Sequence, residues 1–189
     1  MKNIFALFLQ LLTIPCFAQS DLSDSKIIIS GGGGMLFYSH YGTSFGINFG
    51  LGVRVNPGLY VGVDSGVGFL SNIQVVSVTA TDYKTHTINN SDATIIPILG
   101  TIFYRTPIAK SLTVKQLIGA SLGPTVKIQT LPSSTASATT TTDIHFQFLL
   151  RPGIEIKASE QVGFLFETKF GVLKTGFIFM PQVNVCIGF

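Results

Sequence analysis

The seven residues Val183-Asn184-Val185-Cys186-Ile187-Gly188-Phe189 alternate apolar with small or polar and stop on a phenylalanine. Carried backwards, one phase reads Phe177, Phe179, Pro181, Val183, Val185, Ile187, Phe189. The other reads Gly176, Ile178, Met180, Gln182, Asn184, Cys186, Gly188. Period two means a strand with two chemically different faces. A greasy face backed by a small or polar one suits a wall with hydrocarbon on one side and a filled interior on the other.

Composition narrows the choice. Only 11% of the residues are charged, against about 25% in a typical soluble domain, and mean hydropathy is positive. Yet beyond the N-terminal segment no run of 18 apolar residues occurs; the longest, Ile95 to Phe103, already contains Pro, Gly and Thr. High hydropathy without a spanning helix leaves a closed β-barrel as the way to cross a bilayer with every backbone group paired. The expected fold is all-β: a single eight-stranded antiparallel up-and-down transmembrane β-barrel. A formal charge of +3 without a basic cluster gives no reason to expect a nucleic-acid partner.

The N-terminus reads as a separate object. Lys2 precedes an apolar stretch from Ile4 to Ile14, and Cys16-Phe17-Ala18 offers small residues at a cleavage site. That stretch is too short to span, so residues 1–18 are expected to be a cleaved secretory signal and 19–189 the barrel. Cys16 would suit a lipoprotein, but Thr13-Ile14-Pro15 is a poor lipobox. The remaining thiol, Cys186, lies on the inward phase of the last strand and is expected to be a small buried apolar residue.

Eight strands are expected at 26–39, 44–55, 58–70, 93–105, 112–128, 143–157, 161–173 and 176–189. The connections at 56–57, 106–111 and 158–160 are short, whereas 71–92 and 129–142 are long. Short inner turns and longer outer loops are the usual asymmetry of an outer-membrane barrel. The stretch 131–142 is almost all Ser, Thr and Ala after Pro132 and cannot build a core. The stretch 73–88 still alternates around Asp82-Tyr83 and is expected to project as a two-stranded flap, so 71–92 and 129–142 are where an extracellular partner would bind.

Strand 6 sets Ile144, Phe146, Phe148, Leu150, Pro152, Ile154 and Ile156 against His145, Gln147, Leu149, Arg151, Gly153, Glu155 and Lys157. Periodicity alone does not say which face looks outward. The bulky aromatic face recurs on nearly every strand, and the opposite face carries glycine and charges of both signs, as a narrow eight-stranded interior demands. These charges are Arg54, Asp64, Lys115, Lys127, Arg151, Glu155, Glu167 and Lys169. A tight turn at Ser159 would set Arg151 opposite Glu167, so an interior ion network is expected around this pair, with Lys169, Glu155, Arg54 and Asp64. Its role is structural. Pro97, Pro124, Pro152 and Pro181 lie inside strands, where each deletes a ladder donor; all four are assigned to the outward phase.

Ile96-Pro97-Ile98-Leu99-Gly100 with Phe103-Tyr104-Arg105, the piece Pro57-Gly58-Leu59-Tyr60-Val61-Gly62-Val63 and Gly153-Ile154-Glu155-Ile156 resemble segments of small bacterial outer-membrane β-barrel proteins of the OmpA/OmpX-like class. Phe189 resembles the C-terminal aromatic that the insertion machinery of that class recognises. The resemblance implies fold, outer-membrane location and assembly by an insertase, and no single activity. The chain lacks tryptophan, so an interfacial belt would fall to Tyr and Phe.

Chemistry is sparse. Ser39-His40, His86 near Asp82 and Asp92, and His145 would permit a lipid hydrolase, but no G-x-S-x-G or H-E-x-x-H occurs. The histidines lack metal-binding spacing, and Gly31–Gly34 lacks the Lys-Ser/Thr of a phosphate loop. No cofactor, metal or catalytic residue is expected. The leading expectation is a monomeric, non-catalytic barrel in contact with outer-membrane lipids, structural or interacting through its loops. The alternatives are a lipid hydrolase, a small pore and a soluble lipocalin-like carrier.

Overall fold

A computed structural model describes residues 25–39, 42–78, 86–108, 113–131, 139–173 and 176–189. The expected signal segment, His40 and the tips of the long connections lie outside these residues. Eight strands follow one another: β1 (Ile27–Tyr38), β2 (Gly42–Asn56), β3 (Leu59–Val78), β4 (His86–Pro107), β5 (Val114–Leu131), β6 (Thr139–Lys157), β7 (Val162–Leu173) and β8 (Gly176–Gly188). Each pairs antiparallel with its chain neighbour, and β1 pairs with β8, closing an up-and-down barrel. At the seam, the Phe189 carbonyl accepts from the amides of Lys26 (2.6 Å) and Ile27 (3.1 Å), and its amide donates to Ile27.

The apolar phase faces out. Phe45, Phe49, Phe69, Phe146, Phe148, Phe164 and Phe166 are all exposed, with Phe146 at 70%. A soluble carrier would turn these rings inward, so that alternative does not fit. Along β6 the outward residues change from Thr142 to Ile144 at one end and stay apolar to Ile156. Those twelve steps at about 3.3 Å, tilted by about 45°, span roughly 28 Å, the thickness of a hydrocarbon core. Tyr38 and Tyr60 are buried inside the barrel and do not join an interfacial belt, so phenylalanine carries most of the aromatic exterior.

The strands run further than the sequence pattern predicts. β3 reaches Val78 and β4 starts at His86, and they pair from Ile73↔Ser91 to Val78↔His86 beyond a register shift at Leu70/Ile73. The expected flap is thus a continuation of the wall. In contrast, β2 starts at Gly42, which the register carried on would set against Asn72. β5 and β6 likewise pair out to Leu131↔Thr139.

The turns explain the registers. Pro57-Gly58 joins β2 to β3, and Gly58 sits at φ +74, a conformation that favours glycine. An added Cβ there would also meet the Arg105 carbonyl and the Tyr104 ring. Between β6 and β7 the amides of Ala158 and Ser159 both donate to the Val162 carbonyl, and the Val162 amide donates to Ser159 Oγ at 3.1 Å. This wider turn moves the register by two residues from the one expected. Glu167 faces Gly153, and Arg151 sits diagonally from it.

The prolines need one correction. Pro124, Pro152 and Pro181 face outward, but Pro97 is directly across from the buried Thr125 and is on the inward phase. Each proline coincides with a gap in one ladder only. The β3–β4 ladder skips from Ser65↔Ile98 to Gly68↔Ile95 beside Pro97, and β4–β5 from Pro97↔Thr125 to Gly100↔Leu122 beside Pro124. The β6–β7 ladder skips beside Pro152 and β1–β8 beside Pro181. Each of the four stays paired with its other neighbour. At the first gap Ser65 Oγ, on the outer face, donates to the Pro97 carbonyl at 2.9 Å.

Placing arginine on the bilayer face tests this orientation. Phe166→Arg is expected to destabilise the barrel by about 2–4 kcal/mol, measured by urea titration in lipid vesicles. Gln161→Arg, at the inner turn, is expected to leave the midpoint within about 0.5 kcal/mol of wild type.

Candidate functional site

The barrel interior is built in three tiers. Towards the outer end, Tyr38, Leu70, Ala93, Ile95, Leu99, Leu149, Ile178 and Met180 form one apolar cluster. Towards the inner end, Ile28, Tyr60, Phe103, Leu117, Leu165 and Cys186 form another. Cys186 therefore packs as a small apolar residue, as its phase suggests. Between the clusters lies a layer of ions.

Arg151 (β6) is 5% exposed and grips Glu167 (β7), 3% exposed, through two parallel bonds: Nε to Oε2 and Nη2 to Oε1, both 3.0 Å. Gly153 makes room for this pair, since a Cβ there would stand 2.9 Å from that of Glu167. Glu167 also accepts from Asn184 Nδ2 at 2.8 Å and from Gln182. Arg151 Nη1 donates to Thr101 Oγ1 at 2.7 Å and lies 3.6 Å from Asp64 Oδ2. Lys169 (β7) pairs with Asp64 (β3) across the lumen and stands 3.9 Å from Glu167. Two cations and two anions thus balance in one layer. The guanidinium of Arg151 also sits 5.9 Å from the Phe103 ring centroid, close enough for a cation–π contribution.

A second pair, Arg105 (β4) with Glu155 (β6), lies nearer the inner end, with Arg105 over the Tyr60 ring at 5.5 Å. Tyr60 stacks on Phe103 with centroids 5.1 Å apart. Lys115 is directly across from Glu155, and Lys127 from Asp143; both lysines are buried. Arg54 is half-buried at the inner rim, across from Tyr60, with its amide bonded to the Lys26 carbonyl.

Of the residues expected in the network, the structure brings Asp64, Arg151, Glu167 and Lys169 into one cluster and gives Glu155 a different partner. Arg105, Thr101, Gln182 and Asn184 were missed. Their inward phase was readable, but Arg105–Glu155 reaches past β5 and Asp64–Lys169 crosses the lumen. Curvature of the sheet makes the first contact and closure of the cylinder the second.

Of the hydrolase candidates, His40 and Asp82 lie outside the described residues, and Ser39 follows β1 while His145 lies on β6, strands that are not neighbours. Ser39 is exposed, and its Oγ accepts a hydrogen bond from the Phe177 amide at 3.1 Å. His145 is half-buried on β6, directly across from Thr125, with β7 and β8 between its strand and β1. His86 opens β4 across from Val78. No group of three or more potential metal ligands occurs among the described residues.

Charge balance in the layer sets its mutational behaviour. Arg151→Met leaves Glu167 and Asp64 facing Lys169 alone and is expected to cost about 3–5 kcal/mol. Arg151→Met with Glu167→Met leaves the neutral Asp64–Lys169 pair, and the double variant should lose clearly less than the sum of the two singles. Urea midpoints in vesicles, scored by heat-modifiable gel mobility, measure both.

No protein-family model and no curated protein matches the chain. Solved structures do. Neisserial surface protein A is 15% identical, with a TM-score of 0.57, covering 89% of this chain and 100% of its own. Ail, the attachment invasion locus protein of Yersinia pestis, crystallised with the heparin analogue sucrose octasulfate, is 10% identical, with a TM-score of 0.60 over 88% and 99%. A major outer membrane protein from Thermus thermophilus is 11% identical, with a TM-score of 0.52 over 86% and 99%. What the chain shares with them is the fold. With a hydrocarbon-facing exterior on that fold, the chain has the architecture of the outer-membrane β-barrel proteins it resembles.

Proposed function

We propose that this protein is a non-conducting, non-catalytic component of the outer membrane that works through its outer end. The observation that carries this reading is a sealed interior beneath an extended rim. Two apolar clusters enclose a neutral ion layer, while β3 and β4 run past the start of β2. In this reading the β3–β4 ribbon, with β5–β6 beside it, contacts a partner outside the cell. Residues 1–18 are a cleaved signal, and Phe189 at the closing seam is the mark read by the insertion machinery. The barrel is a monomer in contact with outer-membrane lipids.

Ser39 follows β1 and His145 lies on β6, with β7 and β8 between those strands, which supports a non-catalytic role. A pore would need a continuous polar path, and the two apolar clusters argue against one.

Two measurements test this reading. In planar bilayers the purified protein is expected to give no stepwise conductance. A photoreactive residue at position 75, in the ribbon, is expected to yield protein adducts on intact cells, whereas one at position 146 yields lipid adducts. Steady channel openings, or only lipid adducts from position 75, would refute it.

A further inference from the structure

Two cavities flank the ion layer, and their linings differ. One of about 40 Å³ lies towards the outer end, between the inner face of β1–β3 and side chains reaching over from β7 and β8. Its inward-facing polar lining is Asn48, Asp64, Lys169 and Gln182; Leu36, Leu99 and Met180 also line it. The other, about 20 Å³, lies towards the inner end, and Thr101, Arg105, Arg151 and Glu155 are among its lining.

The polar groups of the outer cavity are incompletely satisfied. Both amide atoms of Asn48 are buried without a hydrogen-bond partner in the protein, and so is Asp64 Oδ1. Asp64 is only 3% exposed. Asn48 stands directly between Gly32 and Gly66 on the adjacent strands, so no neighbouring side chain in its own row reaches it. Lys169 is engaged with Asp64 Oδ2, and Gln182 donates to Glu167. In the inner cavity, by contrast, Thr101, Arg105, Arg151 and Glu155 all have protein partners.

Buried polar groups in native proteins are satisfied by protein or by ordered water. What the outer cavity lacks is one group that donates to Asn48 Oδ1 and Asp64 Oδ1 and accepts from Asn48 Nδ2. Its volume of about 40 Å³ suits about three or four water molecules at roughly 10–15 Å³ each. Arg151 and Lys169 already balance Asp64 and Glu167, so an added ion would be uncompensated in a low-dielectric interior. We propose that Asn48 and Asp64 form a buried binding site for water on the outer side of the ion layer, and that the inner cavity is dry. Space alone does not decide this, because the inner cavity is also large enough for one water. The unsatisfied hydrogen-bonding groups decide it.

Water-edited solid-state NMR of the intact barrel in liposomes tests the difference. Magnetisation is expected to pass from water to the Asn48 side-chain amide and the Asp64 carboxyl carbon, and not to Thr101 or Cys186. Asn48→Leu should abolish the transfer to Asp64. If that variant does not fold, the contrast between the two cavities in the wild-type protein still decides. Absence of transfer at Asn48 and Asp64, or equal transfer in both cavities, would overturn the proposal. So would a saturable shift of the Asp64 carboxyl carbon on sodium titration, which would mark a cation site instead.

Discussion

A backbone amide or carbonyl that loses its partner inside hydrocarbon has no water to turn to. That constraint governs this barrel more than any side-chain contact. It requires the β1–β8 seam, where the last residue is tied to Lys26 and Ile27. It also disciplines the four prolines. Each interrupts the ladder on one side of its strand and leaves the other side paired, so the breaks do not coincide across a strand. Ser65 shows the same economy, as its outward hydroxyl serves the Pro97 carbonyl at one of these breaks.

Closing the wall inverts the usual arrangement of a core. With phenylalanines outside, the interior must be filled by what remains on the other phase, and the eight strands do not contribute equally. β1–β3 present glycine at many inward positions, while β6–β8 supply Arg151, Glu167, Lys169, Gln182 and Asn184. Long polar side chains from one half occupy the space that small residues leave in the other. With Asp64 of β3 their charges cancel within a single layer, and the apolar clusters on either side keep bulk solvent away. Such a layer is expensive to break and contributes modestly when intact. The parallel Arg151–Glu167 bonds and the Asp64–Lys169 contact tie β3, β6 and β7 to one another.

Much of this was legible in the sequence, and the reasons are physical. Alternation is a local property, so the eight strands and the outward direction of Phe146 or Phe166 followed from period two with the charge and glycine content of the other phase. The order and asymmetry of the connections followed from their lengths. Registers were less accessible. The Arg151–Glu167 contact was anticipated with the two residues face to face, whereas the turn held by Ser159 and Val162 makes it diagonal. The phase of Pro97 was misread: it shares its strand's inward phase with Ile95, Leu99 and Thr101. Arg105–Glu155 and Asp64–Lys169 could not be read at all, since their partners are separated by 50 and 105 residues, the first pair meeting past β5 and the second across the closed lumen.

The same geometry bears on where function can reside. An interior of two apolar clusters around a charge-balanced layer leaves the two rims and the lipid face as working surfaces, and the rims are unequal. At the inner end the connections at Gly58 and Ser159 are short and held by specific bonds. At the outer end, β3 and β4 carry a paired ladder well past the point where β2 begins, at the price of a register shift at Leu70/Ile73. Membrane anchoring does not require that extension, because the hydrocarbon span on β6 is already complete between Ile144 and Ile156. Ordering a ribbon beyond the bilayer costs conformational entropy that the barrel does not recover by spanning. The outer ribbon is therefore the part of the fold that anchoring leaves unexplained, and the proposed role outside the membrane rests on it.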